Sequence, residues 1–134
     1  MTGSQVALEF THVSKEYGGA KPVLALDDIS LSVPAGEIFG VVWESGSGKS
    51  TFLDLCVGLE QATGGEIRVF GTELSSLTER EMQALRKTIG VVFQGNNLLS
   101  NITVRQNIEL PLRLSGKRNQ KRVTDLLGFV GLGH

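Results

Sequence analysis

An unbroken apolar run, EIFGVV at residues 37–42, leads straight into WESGSGKST at 43–51, and the residues after Lys49 carry a helical apolar pattern. A run without polar alternation is the mark of a strand covered on both faces. A strand, a glycine-rich loop and a helix in direct succession therefore demand a sheet with helices packed against it. The loop fits the pattern G-x-x-x-x-G-K-[ST] at Gly48, Lys49 and Ser50, but Trp43 stands where the pattern has its first glycine.

Phosphate binding needs converging N–H donors and a nearby cation. Gly46, Ser47 and Gly48 can supply backbone amides in a tightly curled loop, which small residues permit. The helix that follows aims its positive end at the same spot. Lys49 would reach the β- and γ-phosphates of a nucleotide, and the Ser50 hydroxyl would bind Mg²⁺. A merely flexible glycine loop is the plainer alternative, and the flanking strand and helix argue against it. Trp43 complicates the site. Pointing inward, its indole takes volume wanted by sugar or phosphates; pointing outward, it can stack on a base or a neighbouring chain. Weakened nucleotide affinity is the expectation, because the amide-rich half of the loop is intact.

The rest of the chain supplies the surrounding layers. Val6–Thr11 and Ile29–Val33 alternate apolar and polar residues, and Pro34-Ala35-Gly36 ends the second, as in an antiparallel β layer. A helix is expected from Lys49 to about Leu59, with Phe52, Leu53, Leu55 and Cys56 on its apolar side. Gly64-Gly65 should break the chain, and Glu66–Phe70 reads as a short strand closed by Gly71. Thr78-x-x-Glu81 is a capping box for a helix running through Lys87. Ile89–Phe93 reads as a second buried strand, ending at Gln94. Thr103 can cap a helix that Pro111 should bend or stop. From Asn119, apolar residues at Val123, Leu126, Leu127 and Val130 make an amphipathic stripe that Gly131 can close. The class is mixed α/β: an antiparallel layer with a mainly parallel core sheet.

With 134 residues the chain holds one ordinary domain. A formal net charge of −1 gives no general reason to bind nucleic acid. Cys56 is the only cysteine, which excludes an intrachain disulfide, and its place on a helix suits a small core residue better than a reactive thiol. Asp27-Asp28 read as a solvated turn before a strand. His12 and His134 have no metal-ligand spacing. Lys117, Arg118, Lys121 and Arg122 read as a solvated helix start. The first residues lack the layout of a signal peptide, and no run reaches the ~20 apolar residues that span a bilayer. A cytosolic chain is expected, with membrane contact only through a partner.

EIFGVV-x-ESGSGKST resembles the nucleotide-binding domain of ABC transporters, and the likeness extends along most of the chain. The resemblance implies a P-loop NTPase fold of the ABC ATPase type, with ATP and Mg²⁺ as ligands. It implies that Ser45, Gly46, Ser47, Gly48, Lys49, Ser50 and Thr51 surround the phosphates, with Trp43 at the edge of the same loop. Tyr17, in VSKEYGG, stands where the family places an aromatic that stacks on adenine. ALDDISLSVPAGE (25–37) matches the stretch before the phosphate-loop strand. IGVVFQ (89–94) matches the family's glutamine loop, so Gln94 would help bind Mg²⁺ and sense the membrane subunit. NNLLSNITVRQNIELPL (96–112) is similar to the start of the helical subdomain. The implied layout is a β layer and phosphate-loop core to about 94, then a helical part over 95–134. The implied partners are a transmembrane permease and a second ATP-binding subunit, on the cytoplasmic face of the membrane. The runs LTEREMQALRKTIGVVFQ and NNLLS…ELPL lean toward lipoprotein-releasing and macrolide-export systems, with methionine importers nearly as similar.

Beside Trp43 there is a second departure. The family's LSGGQ signature, Walker B aspartate, catalytic glutamate and switch histidine are not found by His134. No residue here is then expected to polarise the attacking water, which phosphoryl transfer requires. The expectation is an ABC transporter ATP-binding subunit shortened before its catalytic motifs, with the intact parent an ATPase. The alternative is a non-catalytic phosphate-loop remnant that binds phosphate or a protein partner. In the family, two strands from the later half lie between the segments matching 37–42 and 89–93. Left without them, the chain is expected to self-associate.

Overall fold

β1 (Val6–Tyr17) runs through the middle of an antiparallel sheet, paired on one edge with β2 (Val23–Pro34). The computed structural model describes residues 5–42, 48–95 and 97–133. After β2 come helix α1 (Lys49–Cys56), β3 (Gly64–Val69), the short β4 (Thr72–Glu73), a 3₁₀ turn at Leu74–Ser76 and helix α2 (Glu79–Arg86). The sheet order is β2-β1-β3-β4. Both expected strands of the β layer are present and longer than their alternation alone indicated.

The extra length of β1 and β2 comes from irregular register. His12 and Asp28 each take positive φ, 51° and 49°, where β1 and β2 bulge together. His12 N–H donates to Ser30 Oγ at 2.9 Å and Asp28 N–H to Ser14 Oγ at 3.0 Å, so hydroxyls replace ladder carbonyls. Asp27-Asp28 thus lie inside β2 rather than in a turn before a strand. Gly65 explains a second difference. A Cβ there would sit 2.2 Å from the His12 carbonyl oxygen, so the Gly64-Gly65 pair opens β3 instead of breaking the chain.

One face of this sheet receives α1. Phe10, Val13 and Leu26 from the first two strands meet Phe52 and Leu55 of α1, with Ile67, Val69, Leu74 and Met82 completing the core. The Phe10 and Phe52 rings are 4.9 Å apart and tilted by 35°. Burying each such side chain is worth about 1.5–3 kcal/mol, enough to fix the helix on the sheet. The capping box of α2 forms as its sequence requires: Thr78 accepts from Glu81 N–H, and the Glu81 carboxylate accepts from Thr78 N–H.

The chain divides after Ile89 into two compact units. The second contains α3 (Val104–Leu114) and α4 (Gln120–Phe129). Thr103 caps α3, with Gln106 completing a box. Pro111 lies inside α3 and does not stop it. The proline leaves the Asn107 carbonyl without its helical donor, while the Asn107 side chain ties Leu99 and Thr103 to the helix. α4 starts on Asn119, buries Val123 and Leu127, and ends in a Schellman turn, with Leu132 N–H on Leu127 O at 2.8 Å and Gly131 at φ 77°.

The two expected parallel strands are not formed. Residues 37–42 and 89–93 make no ladder, and the antiparallel sheet is the sole sheet among the described residues. Ile38 and Val42 are fully or almost fully exposed, at 103% and 95%, while Phe39 and Val41 are the more covered pair. Val92 is 98% exposed between the better covered Val91 and Phe93. Each segment therefore has one partly covered face and one open face. Burial on both faces needs neighbouring strands, and the described residues supply none.

Candidate nucleotide-binding site

The turn into α1 is dictated by one close approach. Gly48 is the N-cap of α1 at φ 98°, ψ 6°, a left-handed conformation that favours glycine. A Cβ on Gly48 would lie 2.4 Å from the Ala25 carbonyl oxygen of β2. Both backbone torsion and space thus exclude a side chain. From there α1 begins: Gly48 O accepts from Phe52 N–H at 2.8 Å, and Lys49, Ser50 and Thr51 form the first turn. The orphan N–H groups of that turn and the helix dipole make its start favourable for an anion.

Lys49 shares a cavity of about 220 Å³ with Phe39, Val41, Phe52 and Leu53. The more covered face of residues 37–42 therefore lies along α1. Ser50 is exposed on the first turn. Trp43, Ser45, Gly46 and Ser47 lie outside the described residues.

Tyr17, the last residue of β1, reaches the same helix. Its hydroxyl lies 3.3 Å from Thr51 Oγ1. Lys15, two residues earlier on the same face of β1, holds its ammonium 4.8 Å from the centroid of the Tyr17 ring. The same Nζ donates to Glu60 Oε2 and to the Gln61 carbonyl, each at 2.8 Å. Sequence reasoning singled out Tyr17 and Thr51 but missed Lys15 and Glu60. The i, i+2 spacing of Lys15 and Tyr17 was the available signal. Gln94 is exposed in the second unit, beyond the division at Ile89.

Among the described residues no cluster of three or more His, Cys, Asp or Glu could hold a metal ion alone. A Mg²⁺ that keeps waters and phosphate oxygens needs only one or two protein oxygens. The Ser50 hydroxyl at the start of α1 is an oxygen of that kind, so this half of the donor set fits.

Residues 26–134 match the sequence model of the ABC transporter family. This chain belongs to the ABC transporter family. It is 43% identical, over 96% of its length, to the methionine import ATP-binding protein MetN of Bifidobacterium longum, and 46% identical over 93% to that of Aliivibrio fischeri. It spans 34% and 38% of those two proteins. Among solved structures it resembles the dimeric ATP-binding cassette MJ0796 bound to ADP and Pi, with a TM-score of 0.78, 32% identity, and coverage of 87% of this chain and 52% of that one. The fold is that of a P-loop NTPase of the ABC ATPase type. Membership accounts for the antiparallel layer, the glycine-capped helix and the helical second unit together. Among the described residues no helix is long and apolar enough to cross a membrane.

Proposed function

We propose that this chain carries the nucleotide-holding part of an ABC transporter ATP-binding subunit, with Tyr17 stacking on the base and residues 45–51 surrounding the phosphates. The observation that carries this reading is the meeting of Tyr17 with Thr51, which sets an aromatic ring beside the first turn of a glycine-capped helix. A base on the ring and phosphates at the helix start are then served by one unit of the chain. Lys49 supplies the cation for the phosphates and Ser50 a hydroxyl for Mg²⁺. Bound Mg²⁺ would neutralise phosphate charge; the chain's own part is to bind and orient. Hydrolysis belongs to the intact subunit, paired with a second ATP-binding subunit and a permease at the cytoplasmic face. The methionine-import names of its relatives favour an importer over the export branch.

Calorimetry with Mg-ATP on this chain and on Lys49→Ala tests the reading. Micromolar binding that the substitution abolishes is expected. Binding that is absent from the unsubstituted chain even at millimolar ATP would favour the other reading, a phosphate-loop remnant with a protein partner, which Trp43 supports by its bulk in the loop.

A further inference from the structure

Lys15 is an unusual residue for the edge of a solvent-facing site. It is 9% exposed, the one buried charged residue among those described, and it makes three contacts of different kinds. Its Nζ donates to the Glu60 carboxylate and to the Gln61 carbonyl, both in the segment that follows α1. It also rests on the face of the Tyr17 ring. A lysine held by two acceptors cannot swing away, so the ring beneath it is held in turn. The Tyr17 hydroxyl is fixed separately, at Thr51. The ring is thus pinned at its tip and covered on one face.

We propose that Lys15 is a positioning residue for the nucleotide base: its ammonium occupies one face of the Tyr17 ring and presents the opposite face for stacking. This rests on the reading of Tyr17 given above. A cation on one face of an aromatic ring is attracted by the ring's quadrupole, and a pre-set ring spares the base the entropy of ordering it. Glu60 and Gln61 serve as the anchor for the lysine. Base recognition at the end of β1 is thereby tied to the exit of α1, the helix whose entrance receives the phosphates.

Affinities for Mg-ATP and for Mg-tripolyphosphate, which has no base, separate the two halves of the site. Lys15→Met should weaken ATP about fivefold and leave tripolyphosphate unchanged, Tyr17→Ala should do the same more strongly, and Lys15→Arg should restore most of the loss. If Tyr17→Ala weakens ATP and Lys15→Met does not, the proposal for Lys15 is overturned while base stacking stands. Unchanged ATP affinity in Tyr17→Ala overturns both. Should Lys15→Met fail to fold by circular dichroism, Glu60→Gln loosens the same ammonium and bears the same comparison. A second measurement needs no nucleotide. Tyr17 is the only tyrosine, so a ring-labelled sample gives one set of ring signals by NMR. Those signals should shift and sharpen in Lys15→Met, or in Glu60→Gln, as the ring gains freedom. An unmoved ring signal in the folded variant rules out the positioning role.

Discussion

Tyr17 Oη and Thr51 Oγ1 stand 3.3 Å apart, fastening the last residue of β1 to the first turn of α1. The contact is long-range in sequence and local in space. It would make the antiparallel layer a wall of the proposed site, since the ring that would meet the base is placed by β1 and the helix that would meet the phosphates is seated on the same sheet through Phe10 and Phe52.

The Gly48 conformation gives the sharpest prediction for the loop. Gly48→Ala forces a non-glycine residue into the left-handed region and a methyl group against the Ala25 carbonyl. Strain of this kind costs about 1–3 kcal/mol. A lower melting temperature and weaker binding of Mg-ATP and Mg-tripolyphosphate alike are expected. A melting curve matching the unsubstituted chain would show that the turn does not need a positive φ.

Trp43 stands at the first glycine position of the phosphate loop, outside the described residues. Trp43→Gly should tighten Mg-ATP binding by about tenfold, roughly 1.4 kcal/mol. In the unsubstituted chain, the single tryptophan should report nucleotide by a change in fluorescence. Equal affinities with and without the indole would remove the steric argument.

Cys56, packed against the core at the end of α1, should be inert in the folded protein. Burial pushes its thiol from 9.0 up to about 12, with a backbone hydrogen bond opposing the shift. The native state therefore keeps its proton where an unfolded chain releases it. This contribution to stability is complete below about pH 9 and is lost as the pH rises toward about 12. Alkylation at pH 8 should be far slower than in denaturant. Equal rates in the two conditions would contradict the burial.

The open faces of residues 37–42 and 91–93 should make the chain self-associate at micromolar concentration, because unpaired apolar segments invite edge pairing. Light scattering should show a mass above that of one chain. Val42→Lys and Val92→Lys, each adding charge at an exposed position, should shift the population toward monomer. A monodisperse monomer in the unsubstituted chain would mean that these segments tolerate water as they stand.

Features set by neighbouring residues were legible in the sequence. Thr78 with Glu81 and Thr103 cap the helices their positions announced, and Gly131 closes the last one, because a cap is a hydrogen bond made within a few residues. Features that depend on distant chain were not. The apolar run at 37–42 states what the segment would bury, not whether a neighbour exists to bury it. Lys15 looks like any strand lysine until Glu60 and Gln61, 45 and 46 residues away, close on its ammonium. Gly65 reads as a chain breaker until the His12 carbonyl is seen in the space a side chain would need. Of the candidate site, the motif named the residues of the helix start, while the arrangement that joins Tyr17 to it came only from the packing of β1 against α1.

The closeness of Gly48 to the Ala25 carbonyl also limits how freely this loop can be transplanted. The phosphate loop is commonly pictured as a portable cassette of eight letters, yet here its last turn is moulded on a backbone atom of β2, more than twenty residues upstream. Inserting or deleting one residue between Val23 and Ala25 would bring a different backbone atom, or a side chain, to that spot. A graft of residues 43–51 onto another scaffold would then need a matching strand beneath it, and a chimera that keeps the loop but replaces β2 should lose the turn with it.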